Sequence, residues 1–191
     1  MTEGQSKKHQ EIIDRYNKLR DYCDAFWKQV FGKFPTAFAC GPGCSTCCEL
    51  QSVNFLEAFV IAGYRTDNNV APIRFPRPEG TCHCEGTCPF LADGRCRIYP
   101  VRPLICRTHG LLLKSKDFKD RIAVSCPFNF ASIDHADALD VDTVTAGLAK
   151  LNAAFCLLLG DIKKASERIA LGDLAHGKIG LSWFNTDSTA V

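Results

Sequence analysis

Little in this chain is extreme except one residue type, and the absences narrow the reading first. Charge is nearly balanced, 23 Lys and Arg against 21 Asp and Glu in 191 residues. A net charge of +2 argues against a nucleic-acid surface built from bulk charge, leaving only a local patch compatible with that class. Long apolar runs are missing. The longest, around Ala153 to Leu159, is far too short to span a bilayer, so no membrane partner is expected. No apolar stretch follows Lys7 and Lys8, so a secretory signal is not expected and the cytoplasm is the expected compartment. Catalytic signatures are lacking too: no glycine-rich strand–helix turn, no His-Glu-x-x-His and no Gly-x-Ser-x-Gly. No enzyme class is legible. The remaining composition, 46% hydrophobic and 23% charged, suits a single globular domain over 1–191 with a real core.

Cysteine is what the chain has in excess, with 12 residues. That is still below the density of short secreted disulfide scaffolds. In a reducing compartment clustered cysteines more often mean metal or redox chemistry than disulfides. Four of them, Cys40, Cys44, Cys47 and Cys48, fall within one short stretch. Gly41, Pro42 and Gly43 between the first two force a tight, irregular backbone. Adjacent side chains diverge on a helix or a strand. Cys47 and Cys48 are therefore expected to serve different sites, or one of them to bridge.

The flanks read as helices. Ile12, Tyr16, Leu19, Cys23, Phe26 and Val30 form one stripe, predicting a helix over Ser6–Phe31 ended by Gly32 and Pro35. Asn54 can cap a second, broadly apolar helix, with Glu57 completing a variant capping box. Thr66 to Gly86, with three prolines, reads as a connecting arm. Leu111–Lys114 and Arg121–Ser125 read as a hairpin across the polar Ser115–Asp120 turn. Asp142 opens a helix with the stripe Val144, Leu148, Leu151, Phe155 and Leu158, ended by Gly160. Asp161 can cap another, and the tail from Gly172 reads as irregular. The expected fold is mainly α with a small β-hairpin. An irregular cysteine-rich metal-binding core, 36–130, lies between helical regions at 1–35 and 137–175. Cys23 and Cys156 read as packing residues.

A second cysteine group, Cys88-Pro-Phe-Leu-Ala-Asp-Gly-Arg-Cys96-Arg-Ile-Tyr99-Pro-Val-Arg102-Pro103-Leu-Ile-Cys106-Arg107, makes the pattern recognisable. Together with Cys40–Cys48 and Cys126 it resembles the YkgJ-like cysteine-cluster family of zinc- or iron-chelating domains. The resemblance covers roughly Cys40 to Pro127, with three residues rather than the family's usual two between the first cysteines. It implies metal ligation by up to eight residues: Cys40, Cys44, Cys47, Cys48, Cys88, Cys96, Cys106 and Cys126. The chemistry agrees, since ionised thiols brought together repel unless a cation holds them. Arg102 and Arg107 could donate to cluster sulfurs or form surface ion pairs. Tyr99 reads as a packing wedge and Pro103 as the turn into Cys106. His109, Cys82, His83 and Cys84 are accessory candidates.

Zinc modules show two close ligand pairs, whereas the second group here is widely spaced. Iron–sulfur sites accept a close run of three cysteines plus a remote fourth, so an iron–sulfur cluster is favoured over Zn2+. The expected role is electron transfer or redox sensing with a redox or protein partner. The alternatives are a zinc-stapled interaction module and a methyl-transfer enzyme, the latter because the cysteine region also resembles flagellin lysine N-methylase.

Overall fold

The N-terminal stripe folds into a helix somewhat longer than its pattern, because polar residues at either end propagate a helix once the apolar face is buried. In the computed structural model, which describes residues 3–41, 43–72, 87–119, 121–130 and 137–185, this helix is α1 (Glu3–Lys33). There follow β1 (Ser52–Val53), α2 (Phe55–Asp67), β2 (Leu91–Ala92), β3 (Arg95–Cys96), α3 (Leu104–Thr108), β4 (Leu112–Lys114) and β5 (Ile122–Val124). The chain continues with β6 (Leu139–Asp140), α4 (Val141–Leu158), β7 (Ile169–Ala170) and α5 (Leu171–Ala175), with single 3-10 turns between several of these. The protein is mainly helical with small sheets. It divides into two compact units, Met1–Cys44 with Pro103–Ala154 and Ser45–Arg102 with Phe155–Val191.

In the first unit α1 buries Ile12, Tyr16, Cys23 and Val30, four of the six stripe residues, while Leu19 and Phe26 are half-buried. α3 packs against α1. Gly147 lets α4 come close to α1, since a Cβ there would meet Leu19 Cδ2 at 3.4 Å. The expected hairpin is present as antiparallel β4 and β5, with Leu113 opposite Ala123. A third strand extends it: β6 runs parallel to β4, giving the order β5-β4-β6. Two-residue strands carry no alternation, which is why β6 had no signal in the sequence. Asp142 at the start of α4 accepts from Ser115 Oγ at 2.6 Å and from the Lys116 backbone at 2.9 Å. That ties the hairpin turn to the helix start and holds the Asp142 carboxyl below its ordinary pKa, chiefly through the Lys116 N–H.

The second unit is built on α2, whose start is the capping box read from the sequence. Asn54 Oδ1 accepts from the Glu57 N–H at 2.9 Å and Asn54 Nδ2 donates to Glu57 Oε2 at 3.0 Å. Phe55 and Phe59 meet Phe155, Phe184 and, for Phe55, Trp183 in one aromatic cluster with ring centroids 5.0–6.5 Å apart. Residues 173–185 are ordered into this core rather than irregular. Leu171, Leu174, Ala175 and Phe184 are buried there, the 3-10 turn Leu181–Asn185 packs on α2, and β7 pairs with β1. Short amphipathic pieces separated by glycines have too few residues to show a period. Asp161 caps as expected, accepting from Lys163 N–H at 3.0 Å, but what it caps is a 3-10 turn, Ile162–Ser166, and not an α-helix. The arm from Thr66 begins later than expected, after α2 ends at Asp67, and most of it lies outside the described residues.

α4 contributes its body to the first unit and its last turn, from Phe155, to the second. By length and composition it is apolar enough to cross a membrane, whereas the shorter run around Ala153–Leu159 alone is not. Its buried residues include Val144, Asn152, Phe155 and Cys156; Leu148, Leu151 and Leu158 of the expected stripe are half-buried.

Candidate metal centre

The eight cysteines predicted as ligands are free thiols, and they divide equally between the two units. Cys40, Cys44, Cys106 and Cys126 belong to the first; Cys47, Cys48, Cys88 and Cys96 belong to the second. Cys82, His83 and Cys84 lie outside the described residues.

In the first unit the Cys40 loop is fixed to the segment after β5 by both aromatic packing and hydrogen bonds. Phe38 lies between Trp27 and Phe130, 5.1 and 5.0 Å between centroids, and the Phe130 N–H donates to the Ala37 carbonyl at 2.8 Å. Asn129, 2% exposed, is the hinge pin. Its Oδ1 accepts from the Ala39 N–H at 3.0 Å; its Nδ2 donates to the Gly110 carbonyl at 2.8 Å and faces Cys40 Sγ at 3.4 Å. Cys40 sits beside Cys126, which is buried, and Cys44, which is exposed. Burial raises the Cys40 pKa most; the Asn129 hydrogen bond pulls it down, and Cys126 and Cys44 push it up again. Gly110 has φ +93°, and a Cβ there would meet Asn129 Nδ2 at 3.0 Å and Cys40 Sγ at 3.6 Å, so glycine is required for this approach. Cys106 is exposed on α3, its N–H bonded to the Pro103 carbonyl at 3.0 Å, so Pro103 opens the turn into Cys106 as expected. Asn129 was missed by sequence reasoning. Its only sequence signal is its place three residues after Cys126 in a Cys-Pro-Phe-Asn turn.

Arg107 resolves differently from either sequence reading. Its guanidinium is buried and paired with the half-buried Asp24 of α1, an ion pair that ties α3 to α1. Cys23 beside it is a packing residue. Burial, then Asp24, pushes its thiol up to about 11 while Arg107 opposes the rise. His109 is half-buried directly after α3, its N–H bonded to the Ile105 carbonyl at 3.1 Å.

In the second unit Cys47 and Cys48 sit in a tight turn, the Cys48 N–H bonded to the Ser45 carbonyl at 2.9 Å and the Glu49 N–H to the Cys47 carbonyl at 3.0 Å. Their thiols are hydrogen-bonded to each other, and this, ahead of burial, drives the Cys47 pKa upward. Side chains of neighbours diverge only on a regular helix or strand; a turn brings them together. The expected divergence of Cys47 and Cys48 is thus replaced by a vicinal pair. The Cys48 carbonyl accepts from the Cys88 N–H at 2.6 Å, joining the loop to the β2–β3 hairpin. That hairpin pairs Leu91 with Cys96 across an Asp93-Gly94 turn with φ of 52° and 69°, the positive-φ pair a tight hairpin needs. Burial raises the pKa of Cys88, with N–H groups of Phe90 and Leu91 opposing and Cys96 adding to the rise. Burial likewise raises Cys96, against the Ile98 N–H and Arg102. Tyr99 is not a buried wedge. It is 59% exposed, and the Arg102 guanidinium stacks 4.1 Å above its ring. Cys156, by contrast, is buried at the end of α4 and pushed up to about 11, chiefly by burial.

By type and number, four soft thiols per unit fit zinc or an iron–sulfur cluster. Among the described residues no three His, Cys, Asp or Glu side chains already converge on one point as metal ligands would. Residues 39–127 match the CxxCxxCC family model, described as a candidate zinc- or iron-chelating domain. No curated protein and no solved structure shows significant similarity to the chain.

Proposed function

We propose, from the match of residues 39–127 to the CxxCxxCC zinc- or iron-chelating family model, that the chain holds two four-cysteine metal centres, iron–sulfur clusters in preference to zinc, with an electron-transfer or redox-sensing role. The carrying observation is the equal division of free thiols, Cys40, Cys44, Cys106 and Cys126 in one unit and Cys47, Cys48, Cys88 and Cys96 in the other. A bound metal would keep these thiols ionised against the burial that now raises Cys40, Cys88 and Cys96. N–H groups already face three of the sulfurs, Asn129 at Cys40, Phe90 and Leu91 at Cys88, and Ile98 at Cys96, and would offset thiolate charge around either metal. Such donors set the reduction potential of a cluster. When bound, the cluster would supply one-electron chemistry; the residues themselves orient and neutralise its sulfurs. The reading places the protein in a reducing compartment, the cytoplasm, where these thiols stay free.

Anaerobic purification with iron, zinc and acid-labile sulfide analysis tests it. Iron and sulfide with visible absorption that bleaches on dithionite addition is the expected result. Colourless protein carrying two zinc ions would replace the redox role with a structural one, and protein that takes up neither metal would overturn both.

A further inference from the structure

Cys47 and Cys48 are placed for a reaction that two separate metal ligands would not undergo. Neighbouring side chains on a regular helix or strand diverge. Here the chain is turned twice, by the Cys48 N–H on the Ser45 carbonyl at 2.9 Å and by the Glu49 N–H on the Cys47 carbonyl at 3.0 Å. Within that turn the two thiols are hydrogen-bonded to each other. Solvent reaches them: Cys47 is exposed and Cys48 half-buried. In the first unit Cys40 and Cys126 are also in thiol contact, but Cys126 is only 4% exposed and so is shielded from a dissolved oxidant. The Cys47–Cys48 turn combines what an oxidation-sensitive thiol needs, an accessible sulfur and a second thiol beside it to resolve the first product.

We propose that Cys47 and Cys48 are a modification site: in the metal-free protein a hydroperoxide closes them into a vicinal disulfide, which withdraws two of the second unit's four thiols from metal binding. The chemistry balances with hydrogen peroxide. One thiol attacks the O–O bond, becomes a sulfenic acid and releases a first water. The other thiol then displaces the sulfenic oxygen, which leaves with its proton as a second water. One S–S bond forms, both sulfurs are oxidised, and the peroxide takes the two electrons. The ring is strained by its connectivity, because consecutive Cα atoms lie about 3.8 Å apart across a trans peptide, short of the roughly 4.4–6.8 Å that disulfides usually span. Strained or exposed disulfides are the easily reduced ones, so the modification is reversible by a dithiol. Ligation would occupy both sulfurs, so the pair is sensitive only when unloaded. Loss of loading rests on the reading of the second unit's thiols as one metal centre; disulfide formation does not depend on it.

The full-length protein is stripped of metal under anaerobic, reducing conditions, freed of reductant and treated with equimolar hydrogen peroxide. Remaining thiols are alkylated and the chain is digested without reduction. Trypsin releases Phe34–Arg65, which carries Cys40, Cys44, Cys47 and Cys48 together, so fragmentation must assign the bond. The expected peptide is lighter by two hydrogens. Fragments beginning at Cys47 carry that loss, fragments ending at Thr46 do not, and Cys40 and Cys44 are alkylated. Dithiothreitol should restore both thiols. In Cys47→Ser, Cys48 has no resolving neighbour and should be trapped as a sulfenic acid by dimedone, which should leave Cys48 of the wild type unlabelled. Oxidised protein should then take up about half the zinc that reduced protein does, because the four thiols of the first unit are untouched. A bond from Cys47 to Cys44, a sulfinic acid at either residue without a disulfide, or equal zinc uptake by oxidised protein where reduced protein loads would each overturn the inference. Reduced protein that takes up no metal would instead defeat the metal-centre reading, and the fragment masses would still decide whether the disulfide forms.

Discussion

Replacing Asn129 with alanine should damage both the fold and the first thiol set, and the size of each effect can be worked from its contacts. The side chain satisfies two backbone groups, the Ala39 N–H at 3.0 Å and the Gly110 carbonyl at 2.8 Å, and also faces Cys40 Sγ. Asn129 is buried, so water cannot replace those bonds without rearrangement. Leaving one buried polar group unsatisfied costs about 1–3 kcal/mol, so two should cost roughly 2–6 kcal/mol. Against a typical stability of about 5–15 kcal/mol this is a large fraction. For a chain of this size each kcal/mol lowers the midpoint by about 2–4 °C, so the midpoint should fall on the order of 10 °C. Metal retention should fall as well, since losing a ligand's hydrogen-bonding partner commonly costs about 10–100-fold in affinity. The assay pairs thermal unfolding, followed by circular dichroism, with the rate of metal release to a chelator. Asn129→Asp is the informative companion. It keeps the acceptor for Ala39 but puts a carboxylate where Nδ2 faced the sulfur and the Gly110 carbonyl, so it should release metal faster than its loss of stability accounts for. If Asn129→Ala unfolds within about 1 °C of the wild type and holds its metal equally long, the argument is wrong.

Gly110→Ala should destabilise by more than about 1 kcal/mol, since it combines a positive φ with a Cβ 3.0 Å from Asn129 Nδ2; urea unfolding checks it. Cys23 and Cys156, each pushed up to about 11 by burial, should resist alkylation at pH 8 in the native protein while exposed Cys44 and Cys106 react once metal is stripped. Mass spectrometry of the labelled chain reads this directly. Because those two pKa values are raised on folding, the stability linked to them is complete below the unfolded thiol value near pH 8.5. It is lost as pH rises through about 11, so the unfolding midpoint should decline above roughly pH 9. Cys44→Ser and Cys48→Ser should each lower metal content to about half, and the double variant further, because serine offers a hard, poorly ionised oxygen in place of a soft thiolate. Full metal in Cys48→Ser would refute two centres.

Much of the chemistry was written in residue type and spacing alone. Thiol softness is a property of the atom, so clustered cysteines announced metal chelation before any coordinates, and the CxxCxxCC match over 39–127 bears out that level of description. Local rules carried α1, the Asn54–Glu57 cap and the β4–β5 pair, because their causes lie within a few residues of one another. Tertiary structure decided what depends on distant partners. The pairing of Arg107 with Asp24 spans 83 positions, and the bond from Asn129 to the Cys40 loop spans 89 or 90. Neither leaves a periodic trace. The burial of Leu174 and Phe184 is likewise a property of α2's aromatic face and not of their own neighbours. Cys47 and Cys48 show the same division. Their identity as adjacent thiols was legible, but only a turn held by Ser45 and linked to Cys88 could make them face one another.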